Sequence, residues 1–212
     1  MHDQDILAGY ASDAADLVPP FEAISCAELF TPVEDLMPVR PCRVLDVGAG
    51  TGRDAAWFAG QGHQVVAAEP VRELREAGRK LHPCPSIIWV DDRLPALTGL
   101  IVAGEKFDLV ILIGVWQHLR PEERTVAIEA LARLAADQAR LIMSVRHGSA
   151  PPTRPCFPCD PDATIESAQG VGFRLMRRRS APSIQQKNLD AGVTWTWLAF
   201  DFIGGRGQSR IH

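Results

Sequence analysis

Val44-Leu45-Asp46-Val47-Gly48-Ala49-Gly50-Thr51-Gly52 joins a short β-rich run to a helical pattern through a cluster of glycines. The run from Arg43 to Val47 predicts a strand, and Thr51 to Gly60 predicts a helix. Glycine tolerates positive φ and lets a ligand approach the backbone closely. The helix N-terminus adds unpaired N–H groups. This order of elements predicts a ligand site at the carboxyl edge of an open α/β sheet.

Further strands and helices alternate after this unit. The additional strands are predicted at residues 64–68, 87–90, 107–113, 140–145, 172–178 and 193–202, with helices near 71–81, from 121 and near 162–169. Such alternation indicates a mostly parallel sheet with helices on both faces. Residues 180–192 are polar and too short for a crossover helix, so we expect an antiparallel last strand. The predicted fold class is α/β, a single doubly wound domain.

Composition places limits on the class of protein. The 212 residues are 46% hydrophobic and 23% charged, which is ordinary for a globular domain. The net charge of −4 does not favour broad nucleic-acid binding. No run approaches the ~18 apolar residues of a membrane helix, and Met1-His2-Asp3-Gln4-Asp5 is acidic where a signal peptide is basic. We therefore expect a cytoplasmic protein with no membrane partner. The sequence carries no signal for an oligomeric state.

Cysteine usage gives two further expectations. Five cysteines are an odd count in a chain of this size, so reduced thiols are expected in place of a disulfide framework. The pair in Cys156-Phe157-Pro158-Cys159 lacks the two further ligands that a structural zinc needs. We expect no metal site.

Acidic residues stand at the ends of three successive predicted strands. Asp46 precedes the glycine turn, Glu69 closes the second strand, and Asp91-Asp92 follow the third. An acid after the second strand can accept both hydroxyls of a ribose. Each acid alone could be a strand-end cap or a solvated charge. Acidic residues at three strand ends beside a glycine turn predict a site for a nucleoside-containing ligand.

The spacing of the glycines argues against a dinucleotide. The dinucleotide fingerprint needs glycine at its first, third and sixth places. Counted from Gly48, the sixth place is Arg53, and the last glycine stands one place early at Gly52. A buried Asp46 would also repel a pyrophosphate, whereas it can serve a cationic ligand.

The sequence resembles the class I S-adenosylmethionine-dependent methyltransferases, in particular small bacterial methyltransferase domains of unassigned substrate. The resemblance rests on four segments within residues 42–146, namely Val44–Asp54, Ala67–Pro70, Asp91–Pro95 and Phe107–Leu112. It implies a seven-stranded sheet with a reversed final strand and S-adenosylmethionine as the cofactor. The chain then divides into an N-terminal helical lid or cap (residues 1–40), a methyltransferase domain (41–203) and a flexible tail (204–212).

The resemblance also implies a role for each cofactor-binding position. Asp46 would orient the ammonium of the cofactor, and Glu69 would hold the ribose hydroxyls. Either Asp91 or Asp92 would receive the adenine amino group, and the choice stays open. The backbone of the glycine turn would run alongside the methionine part of the cofactor, and the end of the fourth strand would face its sulfonium. The complete predicted set is Asp46, Gly48, Ala49, Gly50, Glu69, Asp91, Asp92, Ile113 and Gly114.

The resemblance implies that the segment Gly114-Val115-Trp116-Gln117-His118-Leu119 lies next to the transferred methyl group. It departs from the Asn/Asp-Pro-Pro-Tyr/Phe signature that resembling amino methyltransferases of DNA carry there, which puts that substrate class in doubt. His118 is a candidate general base, because histidine titrates near neutral pH. Alternatively, it caps the following helix or hydrogen-bonds in the wall. Trp116 either contacts the substrate or packs in the core.

Arg146 and His147 follow the fifth predicted strand at the same edge of the sheet. They could receive an acidic group of the substrate, or they could be a solvated strand end. The predicted catalytic residues are His118 and His147, and the predicted substrate contacts are Trp116, Gln117 and Arg146. The predicted function is methyl transfer to an oxygen or nitrogen of a small molecule. The alternatives are an NAD(P)-dependent oxidoreductase and a non-catalytic module that binds S-adenosylmethionine.

Overall fold

The computed structural model describes residues 2–204, with side chains from residue 5 onward. Its strands are β1 Arg43–Val47, β2 Gln64–Ala68, β3 Ile87–Val90, β4 Phe107–Leu112, β5 Ala135–His147, β6 Phe173–Pro182 and β7 Thr194–Phe202. Its helices are α1 His2–Glu22, α2 Cys26–Leu29, α3 Arg53–Gly60, α4 Arg72–Leu81, α5 Thr98–Val102, α6 Pro121–Leu134, α7 Pro161–Gly170 and α8 Gln186–Asp190. Two 3-10 turns cover Thr31–Leu36 and Trp116–His118.

The seven strands form one sheet in the order β3-β2-β1-β4-β5-β7-β6. All pairs are parallel except those of β7, which runs antiparallel to both β5 and β6. The predicted fold class, including the reversed last strand, is confirmed. The strand order changes direction between β1 and β4, and in open α/β sheets such a switch point marks the ligand crevice.

Alternation along the strands fills a core on each face of the sheet. Leu45, Val110 and Leu112 lie in one core with α6, while Val44 and Ile111 lie in the other. The second core also contains the buried side chains of α2 and α3. Both faces of the central strands are therefore buried, which explains their nearly continuous apolar runs.

The structure differs from the sequence prediction mainly at element boundaries. Strand β5 was expected at residues 140–145 but extends through His147. The predicted helical segment of the first 40 residues contains one helix of 21 residues, α1, followed by the four-residue α2. Helix α5 was not predicted, because its five residues are too few to show a helical period. Most of the predicted flexible tail, from residue 205 onward, lies outside the described residues.

Candidate active site

A cavity of about 1280 Å³ opens at the carboxyl ends of β1, β4 and β5. Its walls are the glycine turn after β1, the inner face of α1, and the segments around residues 151–156 and 180–188. Helix α1 lies on α4, where Ala14 packs against Val71 and Leu74. The cavity is therefore closed on one side by the N-terminal segment. Its size suits a nucleoside cofactor together with a small acceptor.

Asp46 lies in the cavity wall with an unsatisfied carboxylate. The residue is 2% exposed, and its Oδ2 atom is buried without a hydrogen-bond partner in the described structure. Burial and the neighbouring Asp54 carboxylate raise the pKa of Asp46 well above its usual range. Because an unpaired buried carboxylate is costly, this position fits a cationic group that restores the missing interaction.

Four N–H groups of the glycine turn are already bonded within the protein. Gly48 and Ala49 both donate to the carbonyl oxygen of Ala68, at 2.8 and 3.1 Å. Gly50 donates to Glu69 Oε2 at 2.7 Å, and Gly52 donates to the Ala49 carbonyl at 2.8 Å. These four donors do not form the open anion site that a pyrophosphate uses at such a turn.

Two of the turn glycines are required by geometry. Gly48 has φ of +71°, and a Cβ atom there would lie 2.5 Å from Val115 Cγ2. Gly52 has φ of +78°, and its Cβ would lie 2.5 Å from Trp89 Cη2. Only glycine relieves both the positive φ and the steric contact. The turn is thereby held against the end of β4 and the Trp89 ring.

Glu69 links the end of β2 to the glycine turn. Its Oε2 atom accepts from Gly50 N, and its Oε1 atom accepts from Val71 N, each at 2.7 Å. Burial raises the pKa of Glu69 to about 7, although these two hydrogen bonds act in the opposite direction. The carboxylate is thus both a structural brace of the turn and a part of the cavity wall.

Asp91 and Asp92 lie beside the main cavity, at a smaller hollow that Leu7, Pro70 and Leu94 also line. Asp91 pairs with Arg75 Nη2 at 2.9 Å. Asp92 accepts from Leu100 N at 2.9 Å and so bonds the first turn of α5. Pro70 and Leu94 line both spaces, so the hollow adjoins the cavity.

The predicted residues at the end of β4 line the cavity. Ile113 and Gly114 are in its wall, and Gly114 N donates to Ser144 Oγ of β5 at 2.9 Å. Gln117 also lines the cavity, and its Nε2 donates to the Gly114 carbonyl. Its Oε1 atom is buried and has no partner in the described structure. The end of β4 therefore presents a second unsatisfied polar atom.

His118 forms a hydrogen-bonded pair with Tyr10 of α1. The Tyr10 hydroxyl lies 2.9 Å from His118 Nε2, and His118 Nδ1 lies 3.0 Å from the Pro155 carbonyl. A carbonyl only accepts, so Nδ1 carries the proton and Nε2 accepts from the Tyr10 hydroxyl. Burial lowers the pKa of His118, and the positive charges of Arg154 and Arg146 lower it further. His118 is therefore neutral at pH 7, with its basic nitrogen toward Tyr10.

Arg146 lines the cavity, whereas His147 does not. Because β5 continues through His147, strand alternation sends these neighbouring side chains to opposite faces. His147 Nε2 lies 2.8 Å from Oγ1 of the buried Thr196. This position corrects the expectation that both residues share the active site.

Trp116 also departs from its expected position at the substrate. Its side chain is fully buried in the core, and its indole N–H donates to Thr164 Oγ1 of α7 at 3.2 Å. Trp195 and Trp197 of β7 line the cavity instead. Neither residue could be selected from the sequence, because nothing local to β7 shows which face meets the cavity.

The N-terminal segment makes polar contacts that the sequence did not predict. Thr153 Oγ1 donates to Asp13 at 3.1 Å, and the Arg154 guanidinium lies 5.2 Å from the Tyr10 ring centroid. Arg53 Nη1 donates to the Phe21 carbonyl at 3.1 Å. These contacts hold α1 against the turn after β1 and the loop after β5.

The described residues contain no group of three or more His, Cys, Asp or Glu side chains that could hold a metal ion. All five cysteines are free thiols, including Cys156 and Cys159. In the same part of the chain, no helix is both long and apolar enough to cross a membrane.

The sequence model of a family described as a methyltransferase domain matches residues 44–138. Ubiquinone biosynthesis O-methyltransferases from Bartonella quintana and Rhizobium johnstonii are 29% and 32% identical over 109 and 99 residues. These matches cover 51% and 47% of this chain and 43% and 40% of the two relatives. The chain thus matches less than half the length of these curated relatives.

Solved structures of methyltransferases share the fold over nearly the whole chain. A 1,6-didemethyltoxoflavin N1-methyltransferase from Burkholderia thailandensis superposes with a TM-score of 0.70 at 20% identity, covering 94% of this chain and 88% of that one. The magnesium protoporphyrin IX methyltransferase from Synechocystis gives 0.61 at 21% identity, with 95% and 83% covered. Residues 44–138 thus match the sequence model of a methyltransferase domain, and the chain has the fold of the solved methyltransferases, in keeping with the resemblance to the class I S-adenosylmethionine-dependent methyltransferases.

Proposed function

We propose that this protein transfers the methyl group of S-adenosylmethionine to an oxygen or nitrogen atom of a small-molecule acceptor. The observation that carries the proposal is the buried, unpaired Oδ2 of Asp46 beside a glycine turn in which four backbone amides are already bonded. An unpaired carboxylate binds an ammonium and repels a phosphate. The cofactor carries an ammonium on its methionine part, whereas NAD(P) presents a pyrophosphate to this turn.

The residues of the cavity fit the whole cofactor. Asp46 would hold the ammonium, and Glu69 at the end of β2 would accept the ribose hydroxyls. Ile113 and Gly114 line the wall where the sulfonium would lie. The adenine would reach the hollow lined by Asp91 and Asp92, where Leu94 supplies an apolar wall.

S-adenosylmethionine supplies a methyl group on a positively charged sulfur, so the protein mainly has to align the acceptor with it. The N-terminal segment, residues 1–40, acts as a lid that excludes water from this alignment. An acceptor with an O–H or N–H group must also lose a proton. Tyr10 could pass that proton on, because its hydroxyl already donates to His118 Nε2. The imidazolium that forms is held by the Pro155 carbonyl at Nδ1.

The comparisons support this class of reaction and acceptor. The curated relatives are named as O-methyltransferases of ubiquinone biosynthesis, and one structural neighbour is an N1-methyltransferase with a bound small molecule. Hydride transfer with NAD(P) has no comparable support. The pairing of Tyr10 with His118 favours an enzyme over a non-catalytic cofactor-binding module. We further propose a cytoplasmic location, and no nucleic-acid partner, in keeping with the net charge of −4.

Thermal unfolding with S-adenosylhomocysteine, NAD+ and NADP+ tests the proposal. At ~100 times its dissociation constant, the homocysteine compound should add about 2.7 kcal/mol to the unfolding free energy. Asp46→Asn should weaken its binding by about 1.5–3 kcal/mol, the range for a hydrogen bond to a charged group. The same variant should unfold no more easily, because it removes a buried charge beside Asp54.

Asp137→Asn is the matched control, since Asp137 is exposed at the opposite end of β5 from the cavity. It should leave binding of S-adenosylhomocysteine unchanged. Stabilisation by NAD+ or NADP+ with none by S-adenosylhomocysteine would overturn the proposal.

A further inference from the structure

We propose that the methyl acceptor is an aromatic carboxylate and that Arg146 binds its carboxylate group. This inference rests on the proposed function and adds the chemical class of the acceptor. It is carried by the one partly buried cation of the described cavity wall that has no acidic partner, together with the aromatic side chains around it.

Arg146 makes only neutral contacts. Its Nη2 donates to the Ser149 carbonyl at 2.6 Å, and Nη1 and Nη2 lie 3.5 and 3.4 Å from Asn188 Oδ1. The guanidinium carbon lies 5.5 Å from the centroid of the Trp195 ring. Among residues 5–204, no carboxylate lies within ion-pair distance of it. Two of its five donors therefore have no contact, and two more make only the long contacts to Asn188, so they remain available for a planar anion.

The other buried arginines of the cavity wall are neutralised. Arg53 pairs with Asp54 at 2.8 Å, and the more distant Arg154 pair with Asp13 is 3.9 Å. Three further cations of the wall are exposed, so water solvates their charges: Arg93, Arg179 and Lys187. Arg146 thus differs from both groups. A partly buried guanidinium without a counter-ion gains most from an anionic ligand.

The position of Arg146 indicates where the carboxylate of the acceptor would lie in the cavity. The Trp195 ring is near both Arg146 and the end of β4, because the Arg146 guanidinium carbon lies 5.5 Å from its centroid and a Cβ atom on Gly114 would lie 3.7 Å from its Cη2. Arg146 and the end of β4 therefore border the same part of the cavity. Phe21 and Trp195 line the same cavity and are only half-buried, so they offer flat surfaces for a planar acceptor.

The charge of Arg146 also favours deprotonation nearby. Burial raises the pKa of Tyr10, and the positive charges of Arg154 and Arg146 oppose this rise. The same two arginines help to keep His118 neutral. The charge of Arg146 therefore acts on the part of the cavity wall that holds Tyr10 and His118.

Calorimetry on protein saturated with S-adenosylhomocysteine tests the inference with charge-matched probes. The probes are salicylate with salicylamide, and a hydroxynaphthoate with its amide. Each acid should bind at least about 10-fold more tightly than its amide, in line with a charge-assisted bidentate contact. Arg146→Gln should remove this preference while the affinity for S-adenosylhomocysteine stays within about two-fold. Arg178→Gln, an exposed arginine paired with Asp162 outside the cavity, should keep the preference.

The ratio of acid to amide affinity shows whether Arg146 binds the carboxylate of the probe or only stabilises the local structure. If Arg146 only holds α8 through Asn188, Arg146→Gln will weaken both probes equally and the inference is overturned. It is equally overturned if no acid binds the wild-type protein, or if acid and amide bind alike. Failure of S-adenosylhomocysteine to bind would instead count against the proposed function, and the acid-to-amide ratio on the free protein would still decide the anion site.

Discussion

The carboxyl ends of β1 and β2 contrast with those of β4 and β5. At β1 and β2, the bonds join consecutive segments: Gly48 donates to Ala68, and Gly50 donates to Glu69, 19 residues later. At β4 and β5, His118 is bonded to Tyr10, 108 residues earlier, and to Pro155, 37 residues later. The ends of β1 and β2, which we call the proposed cofactor half, are thus built from neighbouring βα units. The ends of β4 and β5, the proposed acceptor half, are assembled from distant parts of the chain.

The largest expected effect lies in the acceptor half, at His118. If His118 accepts the proton, His118→Ala should lower kcat by about 10²–10⁴ while the affinity for S-adenosylhomocysteine is nearly constant. Since the pKa of His118 is lowered, the wild-type kcat should rise with pH through a value below about 6.5. Initial rates of methyl transfer, measured against pH with the best aromatic-acid acceptor, give both quantities.

Tyr10→Phe sharpens this prediction, because it keeps the ring under Arg154 and removes only the hydroxyl. A loss of kcat similar to that of His118→Ala would indicate that Tyr10 relays the proton. Unchanged kcat in His118→Ala, with about 1 kcal/mol less stability, would reduce His118 to a hydrogen bond in the wall.

The cofactor half could be predicted because its determinants are local. The strand, the glycines and the acids after β1 and β2 are legible in Val44–Asp54 and Ala67–Pro70, and the structure brings Asp46, the turn and Glu69 into one wall. The dual role of Glu69 could not be predicted. Its bonds to Gly50 N and Val71 N depend on the path of the backbone around the turn.

A smaller effect is expected at Glu69. Glu69→Gln should weaken binding of S-adenosylhomocysteine by about 1–3 kcal/mol at pH 8, where the carboxylate of the free protein is ionised. Because the pKa of Glu69 is raised to about 7, wild-type affinity should fall as the pH is lowered from 8 to 6, and the variant should lose this dependence. Calorimetry at both pH values measures the difference.

Stability must be followed in the same variant, since an amide cannot accept both backbone N–H groups of the turn as the carboxylate does. Glu73→Gln, at an exposed position in the first turn of α4, is the matched control. Equal affinities of Glu69→Gln and wild type at pH 8, with both proteins folded, would remove Glu69 from the cofactor site.

The acceptor half could be predicted only in part. The polar cluster after β4 and β5 correctly pointed to Gln117, His118 and Arg146 as cavity residues. Trp116 could not be assigned, because an apolar run looks the same whether an aromatic side chain faces the core or a cavity. Its partner, Thr164, lies 48 residues away in α7. Tyr10 could not be linked to His118 either, since no local pattern indicates a contact between residues 108 positions apart.

The smallest expected effect on catalysis is at His147. It tests which side chains at the end of β5 belong to the acceptor half. His147 follows Arg146 on β5, but its side chain points to the opposite face and bonds Thr196 Oγ1. His147→Ala should therefore leave kcat and KM within about two-fold, whereas His118→Ala should not. The buried Thr196 loses its partner, so the unfolding free energy should fall by about 1–2 kcal/mol. Urea unfolding and initial rates on the two variants separate these outcomes. A large loss of kcat in a normally stable His147→Ala protein would instead place His147 in the active site, and strand alternation at the end of β5 would then be broken when the acceptor binds.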